Sequence, residues 1–318
     1  MTDTATDFAT RPPQGRLRRW MREPIANILL LFVVLQLVCI VAALVAPDAF
    51  RYLSATNIEL LMKAIPILGI VSLGVGVLMI SGEYDLSVGS VYTLAGYLTA
   101  IVFTAGYPVP VAIGATFVAA IAIGIANGLI TTRAGIPSFI TTMGSMLVVR
   151  GIVRWLSEFG SISFRPPPEV AAVFTGTVAG IAAPFLWFIA IALLAWLLLH
   201  RSKLGNHMFL VGGNERTATA VGIRSQRVKI VAFAICSFTA ALAGIISIAR
   251  VGTATPSQGV GMELRAIAVC VIGACLLYMV EDVLLLLRAP GFYLDVFVGA
   301  ILVVAVIINT WMTRRSSK

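Results

Sequence analysis

Apolar residues fill this chain in blocks of about 20, the length a helix needs to cross a hydrocarbon core of ~30 Å. Nine blocks stand out: Ile25–Ala46, Ile58–Ile80, Leu86–Ala105, Val111–Thr131, Pro137–Leu156, Pro184–Leu199, Ile230–Arg250, Ala266–Leu287 and Phe292–Trp311. They are continuous runs, whereas the strands of a membrane β-barrel read as short alternating segments. In lipid, only helices and closed barrels satisfy their own backbone groups. The pattern therefore predicts an all-α, polytopic transmembrane chain with nine recognisable spans. Polar text divides it into a tail (1–24), a transmembrane body (25–312) interrupted at 200–229, and a basic tail (313–318).

Composition narrows the class further. Only 12% of the 318 residues are charged, against roughly a quarter in soluble domains. Asp3 and Asp7, together with the length of the first block, argue against a cleaved signal peptide. The four cysteines (Cys39, Cys236, Cys270 and Cys275) lie in apolar blocks, with no metal-ligand spacing to His200 or His207. They read as small buried hydrophobes, and no metal site is expected. The net charge of +9 comes without an interleaved basic and aromatic patch, so nucleic acid is not expected as a partner. The bilayer explains the sign better.

Basic residues beside spans are retained in the cytoplasm. Arg11, Arg16, Arg18, Arg19 and Arg22 crowd the N-terminal tail. Arg201, Lys203, Arg216, Arg224, Arg227 and Lys229 crowd the interruption against one acid, Glu215. The 157–183 loop is nearly neutral, with Arg165 offset by Glu158 and Glu169. A cytoplasmic N-terminus and six passes bring 200–229 to the cytoplasm, so the two basic clusters agree. The C-terminal third does not close: three more passes put Arg314, Arg315 and Lys318 outside, against the same rule. Either Leu264–Pro290 is not a single pass, or the tail is misplaced, or a segment is missing.

The interruption is the first candidate for chemistry. Gly212 and Gly213 can adopt backbone conformations closed to other residues. Asn214 then suits a helix N-cap, with Ala218 on the short helix and Gly222 ending it. Such a helix suits docking into a groove on a soluble partner; the alternative is an ordinary basic connector. A second candidate begins at Glu83 and Asp85, which sit at a junction of spans and precede Ser87, Ser90, Thr93 and Tyr97. Small and hydroxyl-bearing residues allow close helix approach or line a polar path. Glu83 also reads as an interfacial acid, and Asp85 as a cap on the following helix. Gly124–Ile–Ala–Asn–Gly128 is a small-xxx-small packing face whose Asn127 can bond a neighbouring helix. Arg150 and Arg154, one turn apart at the outer end of their span, read as snorkelling anchors or as contacts for an external partner.

No Gly-x-x-x-x-Gly-Lys-Ser/Thr loop, nucleophile elbow, zinc pair or dinucleotide fingerprint occurs, so no catalytic residues and no bound cofactor are assigned. Repeated mid-span acids, as a proton relay wants, are lacking apart from Glu281–Asp282.

"DLSVGS" (Asp85–Ser90), "NGL" (Asn127–Leu129), "IPSFITTMGSM…RG" (Ile136–Gly151), "GGNERTATAVGI" (Gly212–Ile223) and "GMELRAIAVCVIG" (Gly261–Gly273) together resemble the permease subunits of bacterial ribose/xylose-type sugar ABC importers. The resemblance covers roughly residues 25–273. It implies an inner-membrane permease for a small polar solute, a monosaccharide class, built on ten spans in relatives. It implies that Gly212, Gly213, Asn214, Glu215, Ala218, Gly222 and Ile223 engage an ABC ATPase subunit, where ATP and Mg are used. A periplasmic solute-binding protein and a second permease copy, in a homo- or heterodimer, are the other implied partners. After Gly273 the relatives continue with a Gly-rich stretch and another span, whereas this chain runs into "ACLLYMVEDVLLLLRAPGFYLD"; Arg265 also stands where relatives often carry an acid. An internal deletion of about one crossing is expected there. An ion-coupled secondary transporter and a truncated, non-functional permease paralogue are the alternatives. If the interruption couples to an ATPase, Gly213 or Gly222 replaced by Val leaves membrane insertion intact and abolishes uptake; normal uptake of solute by such cells overturns the reading.

Overall fold

The computed structural model describes residues 24–158 and 160–272, together with positions 279, 282, 283, 286, 287, 293, 296, 299 and 300. The chain divides into two compact units, residues 1–52 and 53–318. In the first, α1 (Pro24–Val45) is a single apolar helix. The turn after it folds back, and the Tyr52 hydroxyl donates to Gln36 Oε1 at 2.5 Å.

The second unit begins with α2 (Ala55–Ile80), capped by Ser54, whose Oγ accepts from Asn57 N. It continues through α3 (Val88–Thr104), α4 (Val109–Arg133) and α5 (Ser138–Ser157). Pro108 and Pro137 stand at the starts of α4 and α5, where a fixed φ suits the first turn and the missing N–H costs nothing. After a loop come α7 (Ala183–Arg201), α8 (Lys203–Gly213), α9 (Glu215–Ala220), α10 (Ser225–Val251) and α11 (Met262–Ile272). Among the described residues, α2, α4, α5, α7 and α10 are long and apolar enough to cross a membrane. Each coincides with an expected span to within a few residues.

The innermost helix is α10, which packs against α2, α3 and α4. In its most apolar stretch 72% of residues are buried, against 17% for α7, which turns its apolar surface outward. Lipid tails are as apolar as leucine, so helices associate in a bilayer by close van der Waals approach. Gly124 and Gly128 supply that approach. A methyl group on Gly124 would stand 2.6 Å from the Phe233 carbonyl oxygen, and one on Gly128 2.8 Å from Ile230 Cα. The small-xxx-small face is thus the α4–α10 contact.

Residues 158–182 cover the end of the bundle away from α8 and α9. Strand β1 (Ile162–Ser163) pairs antiparallel with β4 (Thr253–Ala254), directly after α10. A short helix α6 (Pro168–Thr175) leads to the hairpin of β2 (Thr177–Val178) and β3 (Ile181–Ala182). Tyr97 on α3 donates its hydroxyl to the Gly160 carbonyl, which ties this cover to the bundle.

Two expectations are corrected. The interruption is not one loop: α7 runs to Arg201, α8 follows at once, and α10 begins at Ser225 rather than Ile230. Ser202 starts α8 by accepting from Gly205 N at 3.0 Å, while Met208 and Val211 are buried. The second correction concerns Ala266–Leu287, which is not a single crossing. Cys270 donates its Sγ to the Ser72 carbonyl at 3.3 Å, whereas Asp282 accepts from Asn57 Nδ2 at 2.8 Å. Asn57 lies four turns back along α2, about 22 Å at 1.5 Å per residue. Thr253–Ala254 pair with the cover and Asp282 reaches the first turn of α2 at that same end, while Cys270 lies four turns deeper, so the chain enters the bundle and comes back between Ala254 and Asp282. The stretch directly after Gly273, the second half of the last span and the basic tail lie outside the described residues.

The reversal changes the pass count: with the expected span Phe292–Trp311 following it, the tail falls at the same end as α8 and α9. A C-terminal tag should be accessible on the same membrane face as a tag inserted at Arg216; opposite faces would show that the chain crosses once between Ala254 and Asp282.

Candidate functional site

The polar helix pair α8–α9 and the turn after α2 form one assembly. Asn214 caps α9 as expected, its Oδ1 accepting from Thr217 N at 3.0 Å. Gly222, at φ 88°, ends the turn that follows. Ala218 is buried against the body and Ile223 is half-buried. Thr219 Oγ1 and Ser225 Oγ share a hydrogen bond of 2.9 Å that ties α9 to the start of α10. The outward side presents Phe209, Leu210, Gly213, Asn214, Arg216 and Val221.

The two adjacent glycines do different work. A methyl group on Gly212 would strike the Ile80 carbonyl oxygen, so this residue lets α8 lie against the end of α2. Gly213 meets nothing within 4 Å. Its small size serves no contact inside the chain.

Lys229, in the first turn of α10, completes the assembly. Its Nζ stands 2.7 Å from Glu83 Oε1 and 2.7 Å from Glu215 Oε2. Glu83 belongs to the turn between α2 and α3, and Glu215 opens α9. Lys229 and Glu83 are each 9% exposed. The sequence singled out Glu83 as an interfacial acid and Lys229 only as one basic residue among several. The available signal was their position: Lys229 is the last charge before the seventh apolar block.

Next to this turn, Asp85 is fully buried. Its Oδ1 accepts from Ser87 N at 2.7 Å and Ser87 Oγ at 2.6 Å. Burial pushes its carboxyl up to about 6, against the lowering effect of the Ser87 hydrogen bonds. Asn127 on α4 donates Nδ2 to Ser87 Oγ at 3.0 Å. Two α5 hydroxyls hold the backbone of the same turn: Ser138 Oγ accepts from Tyr84 N and Thr142 Oγ1 from Leu86 N. Both lie in the quoted Ile136–Gly151 motif, but which of its hydroxyls meets the turn depends on how α5 packs.

Further along α3, Ser90 donates to the Met146 carbonyl at 3.1 Å, and Thr93 Oγ1 accepts from Gly259 N at 3.0 Å. Of the outer-face arginines, Arg154 is exposed and Arg150 turns inward to stand 3.8 Å from Glu263 Oε1 on α11. Gly89, Ser90, Thr93, Arg150 and Gly259 enclose a niche of about 10 Å³, the room of a single water. The structure thus brings Asp85, Ser87 and Asn127 into one cluster and Ser90, Thr93 and Arg150 into another, with Tyr97 held apart by the cover. All the hydroxyls of this α3 face bond within the protein, so the face is closed in this conformation. A larger cavity, about 580 Å³, opens between α2, α7 and α11, lined by Ser72, Leu73, Val77, Phe188, Leu199 and Cys270. Its lining is mostly apolar, and it shares no residue with the polar face of α3.

A bundle of membrane-crossing helices, closed polar contacts along its inner helices, and a polar helix pair at one end define a transport permease. Residues 57–314 match the model of the family described as "Branched-chain amino acid transport system / permease component", and the chain belongs to that family. It is similar to the Autoinducer 2 import system permease protein LsrC of Escherichia coli K12, 28% identical over 283 aligned positions that take in 81% of this chain and 80% of the relative. The corresponding protein of Salmonella typhi is 29% identical over 291 positions, with 84% of this chain and 82% of the relative. No solved structure matches the chain. The family makes this a multi-pass inner-membrane permease component of an ABC importer, whose ATP hydrolysis lies on a separate subunit and which works with a solute-binding protein. One further fact follows from the alignment to the Escherichia coli protein. Of its 283 positions about 258 (81% of 318) are filled by this chain, so the gaps on this side total about 25 positions.

The two glycines give a direct test of the assembly. Gly212→Ala should destabilise the folded chain by about 1–3 kcal/mol, the usual cost of overpacking, read as early aggregation in detergent on heating. Gly213→Ala should leave that midpoint unchanged, and equal midpoints for the two variants would contradict the close approach of α8 to α2.

Proposed function

We propose that this chain imports a small, polar, sugar-like solute, and that α8–α9 is the element an ABC ATPase grasps on the cytoplasmic side. The observation that carries the reading is the α8–α9 pair itself. It is polar and outward-facing, yet Gly212, Ala218 and Lys229 hold it against the helices that cross the membrane. A free connector needs no such attachment. Gly213, Asn214 and Arg216 form the contact surface, where the absence of a side chain at Gly213 lets a partner's backbone come close. ATP and Mg act on the partner subunit, and the charge pattern places the N-terminus in the cytoplasm.

The solute class follows from the relatives, whose names assign them autoinducer 2 import. Hydroxyls and amides along α3 and α4, namely Ser87, Ser90, Thr93 and Asn127, suit a solute that exchanges hydrogen bonds with water for bonds to the protein. In the present closed state Asn127 bonds Ser87 while Ser90 and Thr93 bond the backbone at Met146, Gly89 and Gly259, and the path opens when α3 parts from α5 and α11. A second copy of the permease, in a homo- or heterodimer, completes the pathway. An ion-coupled mechanism has less support, because Glu83 is committed to Lys229.

A second reading has its own observation. About 25 aligned positions are missing, and we place them after Gly273, where the sequence departs from its family and the chain reverses. On this reading the chain still inserts and still binds an ATPase, but passes no solute. One experiment separates the two. Arg216→Cys should cross-link to the co-expressed ATPase in membranes, and cells carrying the unaltered chain should take up autoinducer 2. Cross-linking without uptake selects the truncated paralogue, and no cross-link overturns the coupling role of α8–α9.

A further inference from the structure

We propose that Lys229 is the positioning residue through which movement of α9 reaches the turn between α2 and α3. The inference rests on the reading of α8–α9 as the ATPase contact. The geometry that carries it is a single ammonium shared between two carboxylates on separate elements: Glu215, the first residue of α9, and Glu83, in the α2–α3 turn, both at 2.7 Å.

The burial of the three groups is unequal, and that inequality gives the arrangement its direction. Lys229 and Glu83 are almost wholly buried, whereas the Glu215 side chain is 49% exposed. A buried charge that loses its partner is heavily disfavoured, while an exposed one is solvated again by water. When a partner shifts α9, Glu215 can therefore leave at little cost, but Lys229 and Glu83 must stay together. Loss of Glu215 leaves Lys229 with one partner and draws it toward Glu83. Charge-assisted hydrogen bonds of this kind are the stronger class and depend on direction, so a change at one carboxylate is felt at the other.

The turn that carries Glu83 is itself joined to the polar groups of the proposed pathway. Asp85 and Ser87 follow within four residues, and Asn127 on α4 bonds Ser87 at 3.0 Å. Ser138 and Thr142 on α5 hold the backbone of the same turn. One residue away from Glu83, Gly82 lies against Gly212 at the end of α8. Lys229 thus stands between the partner-facing helix and the segment that opens α3, whereas the Thr219–Ser225 hydrogen bond of α9 reaches only the start of α10.

The test is hydrogen exchange on the transporter reconstituted with its ATPase, with and without ATP and vanadate. In the wild type, trapping should change exchange both at residues 215–220 and at residues 81–87. In Lys229→Gln the change at 215–220 should persist and that at 81–87 should fall about tenfold, within the span of ordinary coupling between sites. Lys229→Arg, which keeps the charge and can serve both carboxylates, should restore the response. Glu215→Gln, at the exposed end, guards against a folding defect: it should lose the response at 81–87 while matching the wild type in melting midpoint. An equal response at 81–87 in Lys229→Gln, Glu215→Gln and wild type overturns the inference. No response at 215–220 in the wild type overturns the ATPase contact itself, and the relay with it.

Discussion

How closely α2, α3 and α4 can approach α10 decides the architecture of the second unit. Inside a bilayer, gathering apolar side chains away from water gives no advantage, because lipid already does so. Cohesion comes from dispersion between atoms in contact, which falls off steeply with any gap. Gly124 and Gly128 bring the α4 backbone against that of α10, and Ala240, Ala241 and Ala243 on α10 are fully buried. With α10 enclosed in this way, its first turn becomes a fixed post. Lys229 stands on that post, and the polar helices are arranged around it.

A fixed post makes a polar attachment worth keeping at the edge of an apolar body. The α8–α9 pair is attached to the bundle by buried Met208 and Val211, by the close approach of Gly212 to α2, and by a shared ammonium. Such contacts are specific in direction and limited in area. They let a pair of helices move as a body while staying attached at defined points, which is what a mechanical link between subunits demands. The outward residues, Gly213, Asn214 and Arg216, take no part in these attachments.

At the centre of the bundle Ser87, Ser90, Thr93 and Asn127 each bond a side chain or the backbone of the protein, since burial without a partner is costly. The cost of separating them is set against the hydrogen bonds a polar solute offers in exchange. The irregular C-terminal segment works differently. α11 (Met262–Ile272) brings Cys270 against Ser72, and Asp282 reaches Asn57 further back along α2. The cavity of about 580 Å³ lies between α2, α7 and α11.

The bilayer made most of the helices legible from the sequence alone, because its thickness imposes a length that runs of apolar residues display directly. Local signals were legible too: Asn214 capping α9, Gly222 ending its turn, and Gly124 with Gly128 as a packing face are all set by neighbours in the chain. The polar cluster at Asp85, Ser87 and Asn127 was visible as residues, but not as one group. α8 was hidden because its apolar residues, Leu204 and Met208 to Val211, show no helical spacing that marks one face until the body buries Met208 and Val211 and leaves Phe209 and Leu210 outside. The strands of the far cover were hidden for the same reason, since β1 finds its partner only after α10 has crossed. Only the tertiary structure decided the reversal after α11 and the bridging role of Lys229. Both depend on which residues meet across helices, the pairing of Asp282 with Asn57 and of Lys229 with Glu83, and one-dimensional text carries no record of that distance.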